Sequence, residues 1–292
     1  MSDPTTPLAD FSGALADLVA ATAPSVVEVA SHRSLASGFV WRDKLIVTAD
    51  ETLAEEGTIE IELSDGSVHP ATLVGRDPTT DIALLRVESI TTAPVSFAKT
   101  TARPGSLVLA VGAANSVPLV AFGPVAAVEG RWRSMRGGDI SARIDLGLRL
   151  RSRGQGGLAV GANGDVIGMT VQGPRGRPLV IPGETIDRVA TLLLEHGRIP
   201  RGYLGIGLRE VSTGDGEVGG MIMAIDEQGP ARTAGLHQGD VITTWAGRPV
   251  GSVVRMLRSL GPASIGTSVA LTVRRGGVAV EASIVIGDRP AA

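Results

Sequence analysis

From Val26 to about Ile181 the sequence is a succession of short apolar runs rich in valine, leucine and isoleucine: VVEVAS, SGFVWR, LIVTA, TIEIEL, ATLVG, IALLRV, LVLAVG, PVAAVEG, LAVG, DVIGMTV and PLVIP. Each run has the length of a strand and is too short for an ordinary helix. Turn signals separate them, at Asp65-Gly66, Arg103-Pro104-Gly105, Gly137-Gly138 and Asn163-Gly164. Around a dozen strands in roughly 160 residues fit a sandwich or a pair of barrels. The 39 glycines among 292 residues, nearly twice the usual share of about 7%, suit a chain that turns this often.

The pattern changes on either side. Leu8, Phe11, Leu15, Leu18 and Val19 fall at helical spacing, and Pro24 closes that segment. After the strands, ETIDRVATLLLEH (184–196) carries an apolar stripe on Ile186, Val189, Leu192, Leu193 and Leu194, with Gly197 suited to a helix C-terminus. GRIPRG (197–202) reads as a linker. Strands then resume over 203–288, with two short helices expected at Pro230–Ala234 and Gly251–Leu260. The expected divisions are a helical segment over 1–22, a β-domain over 23–183, helix and linker over 184–200, a small mixed domain over 201–288 and a tail over 289–292.

Composition narrows the chemistry. No cysteine is present, so disulfides, zinc–thiolate sites and a cysteine nucleophile are excluded. The four histidines, His32, His69, His196 and His237, are not paired at metal-ligand spacing, and neither a metal nor a cofactor is expected. A net charge of −3 gives no electrostatic footprint for nucleic acid. No run of apolar residues is long enough to span a membrane. The N-terminal stretch lacks a basic region and a continuous apolar core, so if Met1 is the true start a cytoplasmic protein is expected.

Several motifs carry a resemblance. APSVVEV (23–29), SGFVW (37–41) with LIVTA (45–49), DPTTDIALLRV (77–87), NGDVIGMTV (163–171), VIPGETIDRVATLLLEHGRIPRGYLGIGL (180–208) and GPARTAGLHQGDVITTWAGRPV (229–250) together resemble the HtrA/DegP-like trypsin-fold serine proteases with one C-terminal PDZ domain. The resemblance runs from about Leu15 to Ile286. It implies two six-stranded antiparallel β-barrels of the chymotrypsin/trypsin type, a linker helix and a mixed α/β PDZ domain. It also implies a periplasmic or extracytoplasmic setting, the alternative to the cytoplasmic expectation.

The family's catalytic residues carry over unevenly. The position of its histidine holds Glu51, its aspartate falls on Asp81, and its serine is replaced by Gln155 within RGQGGLA (153–159). Arg153, Gly154 and Gly156 stand in the oxyanion loop, where Arg153 replaces a glycine and Leu158 a proline. Arg153 in place of a glycine predicts a loop that cannot turn tightly. An amide has no lone pair suited to attack, and a carboxylate with a reference pKa of about 4.3 is too weak a base for a serine hydroxyl. The implied protein is an inactive homologue, a pseudoprotease. The alternative is an active serine endopeptidase of protein quality control with relocated residues, Ser152 being its candidate nucleophile. Glu51 and Asp81 could also form a new acid/base pair. The plainer reading is a solvated carboxylate in a pocket that has lost its chemistry.

Two further regions stand out. Arg131, Arg133, Arg136, Arg143, Arg149, Arg151 and Arg153 face only Asp139 and Asp145 in sequence, a basic cluster that could receive an acidic peptide or that simply forms solvated, mobile loops. In the PDZ-like part, Tyr203, Leu204, Gly205 and Ile206 resemble the carboxylate-binding loop. Val253, Met256 and Leu257 are expected to line a groove for protein C-termini or unfolded peptides, the same helix face also packing into the core. The resemblance further implies a homo-trimer, or a mixed oligomer with an active relative, assembled through the N-terminal segment around Phe11.

Overall fold

The computed structural model describes residues 7–32, 34–98, 102–214 and 216–290. The first six residues of the expected N-terminal segment and the last two of the expected tail lie outside them. The chain divides into two compact units, Met1–Arg198 and Ile199–Ala292.

In the first unit, helix α1 (Pro7–Thr22) precedes six strands: β1 (Val26–Ser31), β2 (Ser34–Arg42), β3 (Leu45–Thr48), β4 (Ile59–Glu62), β5 (Val68–Asp77) and β6 (Ile82–Arg86). They close an antiparallel barrel in the order β1-β2-β3-β6-β5-β4. Alternate residues point inward, so Val27, Val29, Val40, Ile46, Ile61 and Leu85 form its core. A second closed barrel is built from β7 (Leu107–Ala114), β8 (Val117–Glu129), β11 (Arg143–Leu146), β12 (Leu158–Gly161), β13 (Val166–Gln172) and β14 (Pro178–Pro182), in the order β11-β14-β13-β12-β7-β8. Val108, Val125, Ile144, Ala159 and Val180 lie in its core. Between β8 and β11 a separate hairpin forms from β9 (Trp132–Arg133) and β10 (Asp139–Ile140).

The arginine-rich segment is solvent-facing, as one of its two readings expected, but it is not all loop. The segment holds a hairpin and the strand that closes the second barrel. β11 is four residues long, and in it Arg143 and Asp145 alternate with inward Ile144 and Leu146. Its charged half faces outward, which broke the apolar run that marked the other strands. The first half of β8, VPLVAFG, also lay outside the expected strands.

Helix α2 (Gly183–His196) buries Ile186, Val189, Ala190 and Leu193 at i, i+3, i+4 and i+7. It ends at Gly197, whose φ of 69° is left-handed and whose N–H donates to the carbonyl of Leu193. The indole N–H of Trp41 on β2 donates to Asp187 Oδ1 at 2.7 Å. The helix packs on β5 and β6 of one barrel and on β13 and β14 of the other, and belongs to the first unit.

The second unit contains a sheet of β16 (Ile206–Ser212), β17 (Val218–Ile225), β18 (Val241–Trp245), β20 (Ser268–Arg275) and β21 (Val278–Val285), in that order, with β19 (Arg248–Pro249) beside β18. β15 (Gly202–Tyr203) pairs with β22 (Gly287–Asp288). Two short helices, α3 (Pro230–Thr233) and α4 (Val253–Arg258), cover a core that includes Leu204, Ile222, Leu236, Ile242, Leu271, Val273 and Ile284. Among the helices of the described residues, none is long and apolar enough to cross a membrane.

Candidate functional site

The edge of the first barrel supplies two carboxyl groups. β3 ends at Thr48 and a single 3-10 turn, Asp50–Thr52, follows. Asp50 is 2% exposed and its carboxylate is paired with Arg76 on β5. That pairing fixes the turn so that the N–H of Glu51 points at Asp81 and donates to its Oδ1 at 2.8 Å. Asp81 lies just before β6 with φ of 59°, a left-handed conformation that aspartate tolerates better than most residues. Burial pushes the Asp81 carboxyl up to about 7. The Glu51 N–H works against that rise, while the charges of Glu51 and Asp50 add to it.

The Glu51 side chain does not turn back to Asp81. Its Oε1 accepts from Arg136 Nη2 at 3.1 Å, and both side chains are about half exposed. Arg136 sits in the turn between β9 and β10. The same turn is held down by Ser134, whose hydroxyl donates to the carbonyl of Thr79. Gly138 lies so close to this strap that an added Cβ would stand 2.4 Å from the Thr79 oxygen. The less favoured Glu51–Asp81 acid/base pair is not formed side chain to side chain: Glu51 pairs with Arg136, and the Asp81 carboxyl accepts a backbone N–H.

Gln155 comes from the loop between β11 and β12. Ser152–Gly154 makes a 3-10 turn there, and Gln155 follows in extended conformation. The Gln155 N–H donates to the Ser152 carbonyl at 3.1 Å, and the Gly154 N–H to the Arg151 carbonyl at 2.9 Å. The side-chain oxygen of Gln155 accepts the backbone N–H of Gln172 on β13 at 3.3 Å. The backbone N–H and side-chain oxygen of Gln155 are thus turned onto its own loop and the neighbouring strand.

One buried serine holds the loop in place. Ser37 on β2 is 0% exposed. Its hydroxyl donates to the carbonyl of Arg153 at 2.6 Å and accepts the N–H of Ala113 at 3.0 Å. Its own N–H donates to the Gln155 carbonyl at 2.8 Å. The sequence reading missed Ser37, because a serine inside a strand signals nothing until its partners are known. It also placed the tight turn at Arg153, whereas the left-handed residue is Gly156, with φ of 83°. A Cβ on Gly156 would lie 2.1 Å from the Ser37 carbonyl. Arg153 sits in the 3-10 turn without a left-handed backbone, and its guanidinium reaches Asn115 Oδ1 at 3.4 Å.

Glu51, Asp81, Arg136 and Gln172 line one cleft of about 520 Å³, with Trp132, Met135, Val171, Leu179 and Ile181 as its apolar part. Gln155 stands behind its wall, bonded to Gln172. The other candidates lie elsewhere. His69 Nε2 is 2.9 Å from Ser67 Oγ, and Ser67 Oγ donates to Asp65. The serine is in the middle, so these three form a turn and not a relay through an imidazole. Ser152 is exposed, and none of the described histidines bonds to it. Among the described residues, no cluster of His, Asp and Glu has the makings of a metal site.

In the second unit, Leu204 is buried in the core and Gly205 has φ of 72°. Their carbonyls are occupied, by the N–H of Ala231 at 2.9 Å and of Asp226 at 2.7 Å. The Tyr203 hydroxyl donates to Asp226 Oδ2 at 3.0 Å, and that bond raises the phenol's pKa. Ile206 opens β16, the edge strand of the sheet order. The expected groove face of α4 is divided: Val253 and Met256 are core residues, while Leu257 is 43% exposed and Val254 beside it is 54% exposed. The N-terminus of α4 is tied to β16, since Glu210 Oε2 accepts the Val253 N–H at 3.1 Å.

Comparison with known proteins gives a consistent pattern. Residues 36–169 match the trypsin-like peptidase domain and residues 202–286 the PDZ domain. A "Probable periplasmic serine endoprotease DegP-like" of Pseudomonas fulva (strain 12-X) is 28% identical over 274 residues, covering 89% of this chain and 57% of that protein. Its counterpart in Brucella suis biovar 1 (strain 1330) is 30% identical over 271 residues, covering 87% and 52%. The chain thus spans a little over half the length of the curated relatives it matches. The structure of the serine endoprotease from Yersinia pestis superposes with a TM-score of 0.71 at 25% identity, covering 99% of this chain and all of that one. The HtrA-type protease AlgW with decapeptide has the same fold, at a TM-score of 0.71 and 23% identity over 95% of this chain and 99% of that one.

Proposed function

We propose, from the premise that the chain is HtrA/DegP-like, a trypsin-like peptidase domain followed by a PDZ domain, that it binds polypeptide without cutting it. Glu51, Asp81 and Gln155 stand at the positions of the family's histidine, aspartate and serine. Acyl transfer on this fold requires an attacking oxygen, a base that accepts its proton and N–H donors aimed at the developing oxyanion. Gln155 is the observation that carries the reading. It brings no nucleophilic oxygen, its side chain is bonded to Gln172 N, and its N–H is turned onto Ser152. Glu51 is engaged with Arg136 and is a weak base besides. Loss of either catalytic partner in such a site removes about 10⁴- to 10⁶-fold of the rate.

The proposed role is that of a scaffold or regulator. Its PDZ domain takes protein C-termini or unfolded segments along β16, with the 203–206 loop receiving the terminal carboxylate. The positive φ of Gly205 and the occupied carbonyls of Leu204 and Gly205 suit a loop whose N–H side is given to a ligand. The relative AlgW, solved with a decapeptide, supports peptide as the ligand class. On α4 the groove contact passes to Leu257 and Val254, since Met256 is buried. Assembly as a homo-trimer or with an active relative is proposed through α1. Leu8 and Phe11 there are 75% and 40% exposed, and Phe11 meets Phe122, itself 48% exposed. A periplasmic setting follows the names of the relatives.

The test is digestion of casein together with labelling by a fluorophosphonate. The proposal expects neither above background, and no change on Ser152→Ala. Turnover abolished by Ser152→Ala would replace it with the relocated-nucleophile reading.

A further inference from the structure

The cleft beside Glu51 has a charge character of its own. Residues 131–188 hold ten arginines, no lysine and five acidic residues, a local balance of +5 in a chain whose net charge is −3. One of these arginines lines the cleft and two more stand next to its lining in sequence. Arg136 lines it and lends one guanidinium nitrogen to Glu51 and another to the Pro78 carbonyl. Arg175 and Arg177 follow Gly173 and Pro174, which also line it. Both are exposed and form no ion pair among the described residues. Arg175 is presented from a left-handed backbone with φ of 60°. The remaining carboxyl in the cleft, Asp81, is held up to about 7 by burial, so at neutral pH it opposes a negative ligand only partly.

The apolar part is equally defined. Met135, at the tip of the β9–β10 hairpin, is 91% exposed and lines the cleft mouth. Leu179 and Val171 form the floor. A thioether at such a position adapts to side chains of different shape. Glu51, half exposed and held only by Arg136, is an internal carboxylate that an incoming one can replace.

We infer that this cleft receives an acidic polypeptide segment, one carboxylate side chain taking Arg136 from Glu51 while a neighbouring apolar side chain lies against Met135. The inference rests on the reading above that the chain binds polypeptide without cutting it, and it adds this cleft as a second contact with a chemistry of its own. Arg175 and Arg177 attract further carboxylates along the chain. The contact is charge-assisted, so it weakens with salt.

The experiment uses the full chain and fluorescent peptides amidated at their C-termini, which leaves the PDZ carboxylate loop without its ligand. One peptide alternates Glu with Leu, and a second has Gln in place of each Glu. Fluorescence anisotropy at low salt is expected to show the Glu peptide binding at least tenfold tighter than the Gln peptide. Arg175→Glu with Arg177→Glu, two exposed positions, is expected to weaken the Glu peptide at least tenfold. Glu51→Gln is expected to tighten it severalfold by releasing Arg136. Leu257→Glu in the PDZ domain leaves it unchanged. Equal binding of the two amidated peptides, or indifference to the arginine reversals, overturns the inference. If a neutral peptide with a free C-terminus still binds in that case, the PDZ reading stands and only the acidic cleft falls.

Discussion

Asp81 is the residue where environment departs most from composition. An unfolded chain releases its proton near pH 3.8, the folded one only near 7. Below about pH 4 both states are protonated. Between about 4 and 7 the folded state keeps a proton that the unfolded state has lost, so this group's contribution to stability falls as pH rises, and it is constant above 7. Asp81→Asn keeps the acceptor for Glu51 N–H and removes the buried charge. It is expected to raise unfolding free energy at pH 8 by about 2 kcal/mol and to flatten the pH profile between 4 and 7, measured by urea denaturation. Gly156 marks the opposite case. With φ of 83° and the Ser37 carbonyl 2.1 Å from a Cβ, Gly156→Ala is expected to cost about 3 kcal/mol or more, because backbone cannot give way as a side chain can. A loss under about 1 kcal/mol in the same assay would contradict the packing described for this loop.

At the scale of elements, the hairpin Trp132–Ile140 is the part that closes over the cleft. It is pinned by Ser134 to Thr79 and by Arg136 to Glu51. Gly138→Ala pushes a methyl against the Thr79 carbonyl. Amide exchange across 132–140 is expected to quicken at least tenfold, with β12 and β13 unchanged. This hairpin also shows what the sequence could and could not tell. The strands with unbroken apolar runs, such as Ile82–Leu85 and Leu158–Val160, were legible because both their faces are buried. Helix α2 was legible because its period and its Gly197 stop agree. β11 was not, since its outward residues are Arg143 and Asp145, an ion pair at 3.1 Å that resembles loop composition. In the site, the positions of Glu51, Asp81 and Gln155 could be aligned from motifs. Their partners could not, because Arg136, Ser37 and Gln172 reach them across the fold. On α4 the helical face was read correctly as apolar, but only burial divides it into core Met256 and exposed Leu257.

At the scale of the molecule, each unit has its own core, one around Ile242 and Val273 and others inside the two barrels. Calorimetry is expected to resolve two transitions, and Ile242→Ala to lower only the one that belongs to the 199–292 unit. Titration of the protein with a peptide bearing a free C-terminus, followed by mass spectrometry of the same sample after prolonged incubation, measures binding and integrity together. Saturable binding with the peptide recovered whole is the predicted result. Binding followed by accumulation of two fragments, in protein cleared of contaminating proteases, would contradict it.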